Sequence, residues 1–188
     1  MADFNTCILF VLKHETFTNS EGKLITLYED KKTGEVSNYG ISMALLKSMK
    51  YKIQDPHNLA YADVMGIYQQ VFWQPKGLSS VSSNLVAQKI LDMAVNMKFG
   101  EAERLTQASL NTLGFPCVID GIFGPHTFIT LNQAIAIKGE LAVVQELAVK
   151  SQGYYQAIAP NMINGEVDLP VWLARATDLG INVNYKPA

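Results

Sequence analysis

Apolar residues recur at helical spacing along most of this chain, but the stretch 19–39 breaks the rhythm. Phe4, Cys7, Ile8, Val11 and Leu12 share one stripe, with Asp3 placed to cap it, which predicts a helix over 3–16 ending in His14 and Glu15. Within the break, Leu24–Tyr28 is β-prone, Lys31-Lys32-Thr33-Gly34 suits a turn and 35–39 can return antiparallel, so a small exposed hairpin is expected. The helical period resumes over 42–50, 60–73, 83–98, 101–113, 125–138, 139–158 and 168–179. Pro125 and Asp168-Leu169-Pro170 suit helix starts, and Gly114 and Gly180 suit helix ends. Between 74 and 84, Pro75, Gly77 and four serines predict a loop joining a first lobe to a second. The expected class is mainly α.

A chain of 188 residues with 48% hydrophobic and 17% charged residues builds a proper core, which excludes disorder and disulfide scaffolds. Lys+Arg 15 against Asp+Glu 17 gives a net charge of −2, so nothing favours a nucleic-acid backbone. No run approaches the about 18 apolar residues of a membrane span, and no basic leader or cleavage site precedes Cys7–Leu12. Cys7 and Cys117 sit in apolar contexts without a Cys-x-x-Cys spacing and read as free thiols.

The three histidines, His14, His57 and His126, are scattered outside any metal-ligand spacing, and neither a phosphate loop nor a Gly-x-Ser-x-Gly elbow is present. Carboxylate chemistry remains. Glu15 closes an apolar helix and is followed, across the hairpin, by the polar run Ser37-Asn38-Tyr39-Gly40-Ile41-Ser42. A glutamate partly withdrawn from water in this way can keep its proton and serve as a general acid.

Leu12-Lys13-His14-Glu15, then Ser37-Asn38-Tyr39-Gly40-Ile41-Ser42, resembles the opening of glycoside hydrolase family 108, the phage and bacterial muramidases, whose signature is His/Arg-Glu-Gly-Gly followed by Thr-Asn-x-Gly-Ile. Ile67-Tyr68 through Phe72-Trp73-Gln74-Pro75 and the run 90–96, Ile-Leu-Asp-Met-Ala-Val-Asn, continue the resemblance in order. Thr16-Phe17 replaces the Gly-Gly, a longer hairpin replaces the acidic Gly-Gly loop, and Ser37 stands at the threonine position. Leu105-Thr106-Gln107 and the run from Val118 to Thr127 resemble the peptidoglycan-binding module that accompanies this family, although Asp120-Gly121, Gly124-Pro125 and Thr127 also suit local scaffolding.

The resemblance implies a lysozyme-like helical fold with the hairpin at the active-site cleft, a catalytic region over 1–92 and a helical peptidoglycan-binding-like region over 93–188, packed as one body. It implies a monomeric N-acetylmuramidase that needs no cofactor or metal, acts on peptidoglycan glycan strands and neither binds nucleic acid nor inserts into membranes. Made in the cytoplasm, it would reach the wall by holin-type release or dedicated export, as an endolysin or a wall-remodelling enzyme. The alternative is a non-catalytic peptidoglycan-binding or structural protein on the same fold.

Under the resemblance Glu15 is the general acid. Asp30 is the first candidate for the second carboxylate, with Glu29, Glu35 and Glu21 as competitors, and Ser37 either positions a water or caps the strand end. Asn38, Tyr39, Trp73, Gln74 and Asn96 are the candidate sugar contacts, Trp73 being equally suited to anchor a helix end in the core. Asp92 is expected to support the site by bonding the hairpin or Tyr39, and Tyr154, Tyr155 and Trp172 to pack the C-terminal lobe.

Overall fold

Asp3 starts the first helix as its position predicts: its carboxylate accepts from the Thr6 N–H at 2.8 Å, and α1 runs Phe4–Glu15. The computed structural model describes residues 1–31, 34–162 and 164–185. Among these, eight α-helices and five short strands follow in the order α1, β1 to β5, α2 to α8. The mainly α architecture expected from the sequence, with a small antiparallel sheet, is present.

The β region is more divided than the sequence suggests. The β-prone run splits at Thr26: Leu24–Ile25 (β2) pairs with Phe17–Thr18 (β1), while Leu27–Glu29 (β3) joins Val36–Asn38 (β4) and Ile41–Ser42 (β5) in an antiparallel sheet. Thr26 O accepts from Tyr39 N at 2.7 Å, which carries the β3–β4 pairing one residue further towards the β4–β5 turn. Lys32 and Thr33 of the expected turn lie outside the described residues. Between β4 and β5 a two-residue turn carries Tyr39 (φ 50°) and Gly40 (φ 76°), the positive pair of a type I′ hairpin. Tyr68 Oη donates to Tyr39 O at 2.8 Å and holds this strained turn against the core.

Ser42 then caps α2 (Met43–Ser48). Helix α3 (Tyr61–Tyr68) widens into a π-turn over Gln69–Trp73 before Pro75, which lacks the N–H to continue a regular helix. The stretch 74–84 is not an open linker, because it makes short 3-10 turns and buries Leu78 and Val81 fully. Helices α4 (Asn84–Met97), α5 (Phe99–Thr112), α6 (Pro125–Lys138) and α7 (Glu140–Ile158) match their predicted spans closely.

Helix α8 begins at Gly165, three residues before the expected cap at Asp168, and contains Pro170. Its start approaches the chain so closely that a Cβ at Gly165 would stand 2.0 Å from Ala159 O. Pro170 is tolerated because it and Glu166, whose carbonyl loses its helical donor there, are both exposed.

Helix α4 is central, packing on α1, α5 and α7, while α8 lies on α7. One face of α4 also carries polar residues inward. Lys89 is fully buried and its ammonium donates to Arg175 O (3.0 Å), Ala176 O (2.9 Å) and Asp178 O (2.9 Å), satisfying carbonyls at the α8 C-terminus. Gln88 Nε2 donates to Gly180 O at 2.8 Å. The end of α8 is therefore fixed to the middle of the chain by directional bonds.

The loop after α5 is held similarly. Gln107 Nε2 donates to Asp120 Oδ1 at 2.7 Å, and its Oε1 accepts from Gly121 N at 2.9 Å. The Asp-Gly pair of the second signature thus does structural work in this loop.

Candidate active site

A helix C-terminus carries partial negative charge, so a carboxylate there calls for a cation. Glu15, the last residue of α1, has one: Arg175 of α8 donates from Nη2 to its Oε1 at 2.7 Å. The same guanidinium donates from Nε to Asp92 Oδ1 at 2.8 Å, so its two edges join α1 and α4. Asp92 is buried, with a side chain 3% exposed; those of Arg175 and Glu15 are 10% and 17% exposed. Burial alone would loosen the Arg175 proton, but Asp92 and Glu15 outweigh it and raise its pKa further. The expected support from Asp92 therefore runs to Arg175 rather than to the hairpin.

The other oxygen of Glu15 faces the sheet. A Cβ on Gly40 would lie 2.4 Å from Glu15 Oε2, so the turn passes the carboxyl group at a distance only glycine permits, in a backbone conformation that also favours glycine. Glu15 is thus enclosed by three parts of the chain: its own helix, the Tyr39-Gly40 turn and the guanidinium from α8.

Residues 14–97 match the family model described as glycosyl hydrolase 108. The match indicates a glycoside hydrolase of the lysozyme type, and a peptidoglycan substrate fits that assignment. Among solved structures the chain is similar to that titled structure of Brucella abortus SagA, at 16% identity and a TM-score of 0.66, covering 95% of this chain and 96% of that one. No curated protein sequence matches. The match ends before the second signature at 105–127 and well before Arg175. No described helix is long and apolar enough to cross a membrane.

The hydrolase's predicted site residues separate in space. The sheet register, Glu29 opposite Val36 and Tyr28 opposite Ser37, sets Ser37 and Asp30 on one face, with Glu35. Asn38 and Val36 take the other, buried face, and Asn38 Nδ2 donates to Pro56 O at 3.1 Å. Asp30 N donates to Glu35 O at 2.8 Å, placing Asp30 three residues beyond the Leu27–Asn38 rung, or about 10 Å along the strand.

Three expected sugar contacts prove to be interior. Asn38 is 7% exposed, Tyr39 5% and Trp73 4%. Tyr39 packs on Tyr61, and Trp73 meets Phe4 edge to face at 5.6 Å. Phe4 opens α1 and Glu15 closes it about 16 Å further along the axis, so Trp73 packs against the opposite end of the helix from the carboxylate, and Gln74 beside it is exposed. Asn96, one turn past Asp92 on α4, is near the site; its Nδ2 donates to Tyr155 Oη at 2.5 Å, and burial raises the Tyr155 phenol to about 12.

Arg175 escaped the sequence reading. Its signal, a lone arginine on the last helix, says nothing of its partner 160 positions away. Beside it, His14 Nε2 stands 3.2 Å from Asp178 Oδ2, which also accepts from Lys13 Nζ at 2.7 Å. Among the described residues no three His, Cys, Asp or Glu side chains converge as a metal site requires.

Proposed function

We propose that the protein is an N-acetylmuramidase that cuts the β-1,4 bond between N-acetylmuramic acid and N-acetylglucosamine, with Glu15 protonating the leaving oxygen. The observation that carries this reading is the setting of Glu15: one carboxyl oxygen bonded to Arg175 and the other beside Gly40, in a largely dehydrated position at a helix end. With Oε1 bonded to Arg175, Oε2, beside the Gly40 turn, is the oxygen this reading assigns to the leaving group.

Asp30 is the base in this reading. It lies three residues along the strand from the rung beside the Tyr39-Gly40 turn, on the face that also carries Ser37 and Glu35. Ser37, on the same face of the hairpin as Asp30, orients the attacking water. The two halves act as one catalytic body, because a residue from beyond the matched segment holds the acid. Intracellular synthesis followed by release to the wall, as for an endolysin, fits this activity.

Mass spectrometry of soluble products from purified Gram-negative peptidoglycan tests the reading. Fragments ending in reducible muramic acid, released by the native protein and absent with Glu15→Gln, are expected. Undiminished release by a folded Glu15→Gln protein would remove Glu15 from the acid's role.

A further inference from the structure

Two neighbouring cavities lie between the α4–α5 junction, α7 and α8, with volumes of about 550 Å³ and 430 Å³. Both are lined by Asn96 and Trp172, so they form one groove along the C-terminal helices. At its far end stand Tyr154, Met162 and Lys98, and at its near end His14, Val171 and Arg175. The near end thus reaches the guanidinium that bonds Glu15.

The walls of this groove have a distinct chemistry. Tyr155 lies against Trp172 with ring centroids 5.6 Å apart and an interplanar angle of 33°, and Tyr154 meets Tyr155 edge to face at 5.6 Å. The Asn96–Tyr155 hydrogen bond fixes the inner wall. Met162 (51% exposed) and Val171 (69%) leave apolar surface at the rim, which packing within the chain does not account for. A flat aromatic platform with a few amide, hydroxyl and cationic groups suits a ligand with apolar C–H faces, acetamido methyls and many hydroxyls.

We propose that this groove is a binding subsite for the N-acetylated glycan strand, supplied by the C-terminal helices, with Trp172 as its stacking platform. The choice of occupant rests on the glycosidase reading above and on the groove's continuity with Arg175 and Glu15. The sequence reading, which treats Tyr154, Tyr155 and Trp172 solely as packing, is revised accordingly.

The chain's two tryptophans make the test direct. Trp73 is sealed in the core against Phe4, so only Trp172 can report on a ligand in the groove. The Glu15→Gln protein is titrated with N-acetylglucosamine tetramers to hexamers while its tryptophan emission is followed. A saturable change is expected, and it should vanish in Glu15→Gln/Trp172→Phe. In the otherwise native chain, Trp172→Phe and Val171→Asp should each raise KM on soluble glycan by roughly tenfold with kcat little changed. Val171 is exposed enough that its substitution tests the groove without disturbing the core.

Absence of any emission change, or its persistence without Trp172, overturns the subsite, as does an unaltered KM in both variants. Failure of Glu15 as the acid reads out separately, in product release, and leaves the binding result standing.

Discussion

Gly40→Ala is the sharpest perturbation the site permits, because its consequence can be worked out from one distance. The new methyl would stand 2.4 Å from Glu15 Oε2. An ordinary contact needs about 3.5 Å, so the carboxyl group or the turn must yield by about 1 Å. A misplacement of that size at a reacting group costs on the order of 10²-fold in rate, equivalent to about 2.7 kcal/mol of barrier. The positive φ of 76° adds a cost of about 1–2 kcal/mol in stability, which for a chain of this length lowers Tm by roughly 2–8 °C. Gly22→Ala separates the two effects: its φ is 77° and nothing lies within 4 Å of the position a Cβ would take. The assay is release of reducing ends from purified peptidoglycan, with Tm followed in parallel. Gly22→Ala should lose comparable stability and keep its activity, whereas Gly40→Ala should lose both. Near-native kcat/KM in Gly40→Ala would refute the claim that the turn positions Glu15.

Arg175→Ala leaves Asp92 and Glu15 without their cation and should destabilise the fold by about 3–5 kcal/mol, read as a lower Tm, with activity lost. Arg175→Lys retains the charge but not the fork that reaches both carboxylates, so calorimetry should find most of the stability kept while turnover still falls at least tenfold, about 1.4 kcal/mol. His14 predicts a pH dependence. Burial holds its pKa below the ordinary 6.5, with Arg175 and Lys13 adding to the shift and Asp92 and Asp178 opposing it. The unfolded chain therefore takes up the proton first, and stability is full above about pH 6.5 and declines as pH falls toward the folded-state value. Tm measured from pH 7.5 to 5 should fall less steeply in His14→Gln than in the native protein, and identical slopes would exclude His14 as the cause.

The helices were legible because each buries a stripe whose period is written locally: α1 from its five apolar positions and Asp3, α4 to α7 from similar runs bounded by serine, glycine or proline. The start of α8 was not, because it depends on Gly165 passing Ala159, a contact between turns that no local rule encodes. Glu15 could be picked out because it sits on an apolar helix ahead of a recognisable polar run. The sugar contacts failed for a physical reason: aromatic and amide side chains serve equally well in a core, and Trp73 and Asn38 take that use here. Period and composition cannot separate the two uses, since the difference lies in which end of α1 the residue meets.

The same reasoning bears on why the site extends past the segment that identifies it. Glu15 and Asp92 both lie within residues 14–97, yet two carboxylates brought toward each other in a dehydrated interior repel unless something cationic joins them. The first part of the chain presents this requirement, and α8 meets it. Lys89 holds the carbonyls at the end of α8 while Asp92, three residues further along α4, receives the arginine from the same helix. A single face of α4 thus docks α8 and uses it, so the docking that stabilises the C-terminal helices also orients Glu15, the proposed acid. If Glu15 is the acid as proposed, the helices after residue 97 form a wall of its site, and the groove beside Arg175 is where the glycan strand of the proposal would next make contact.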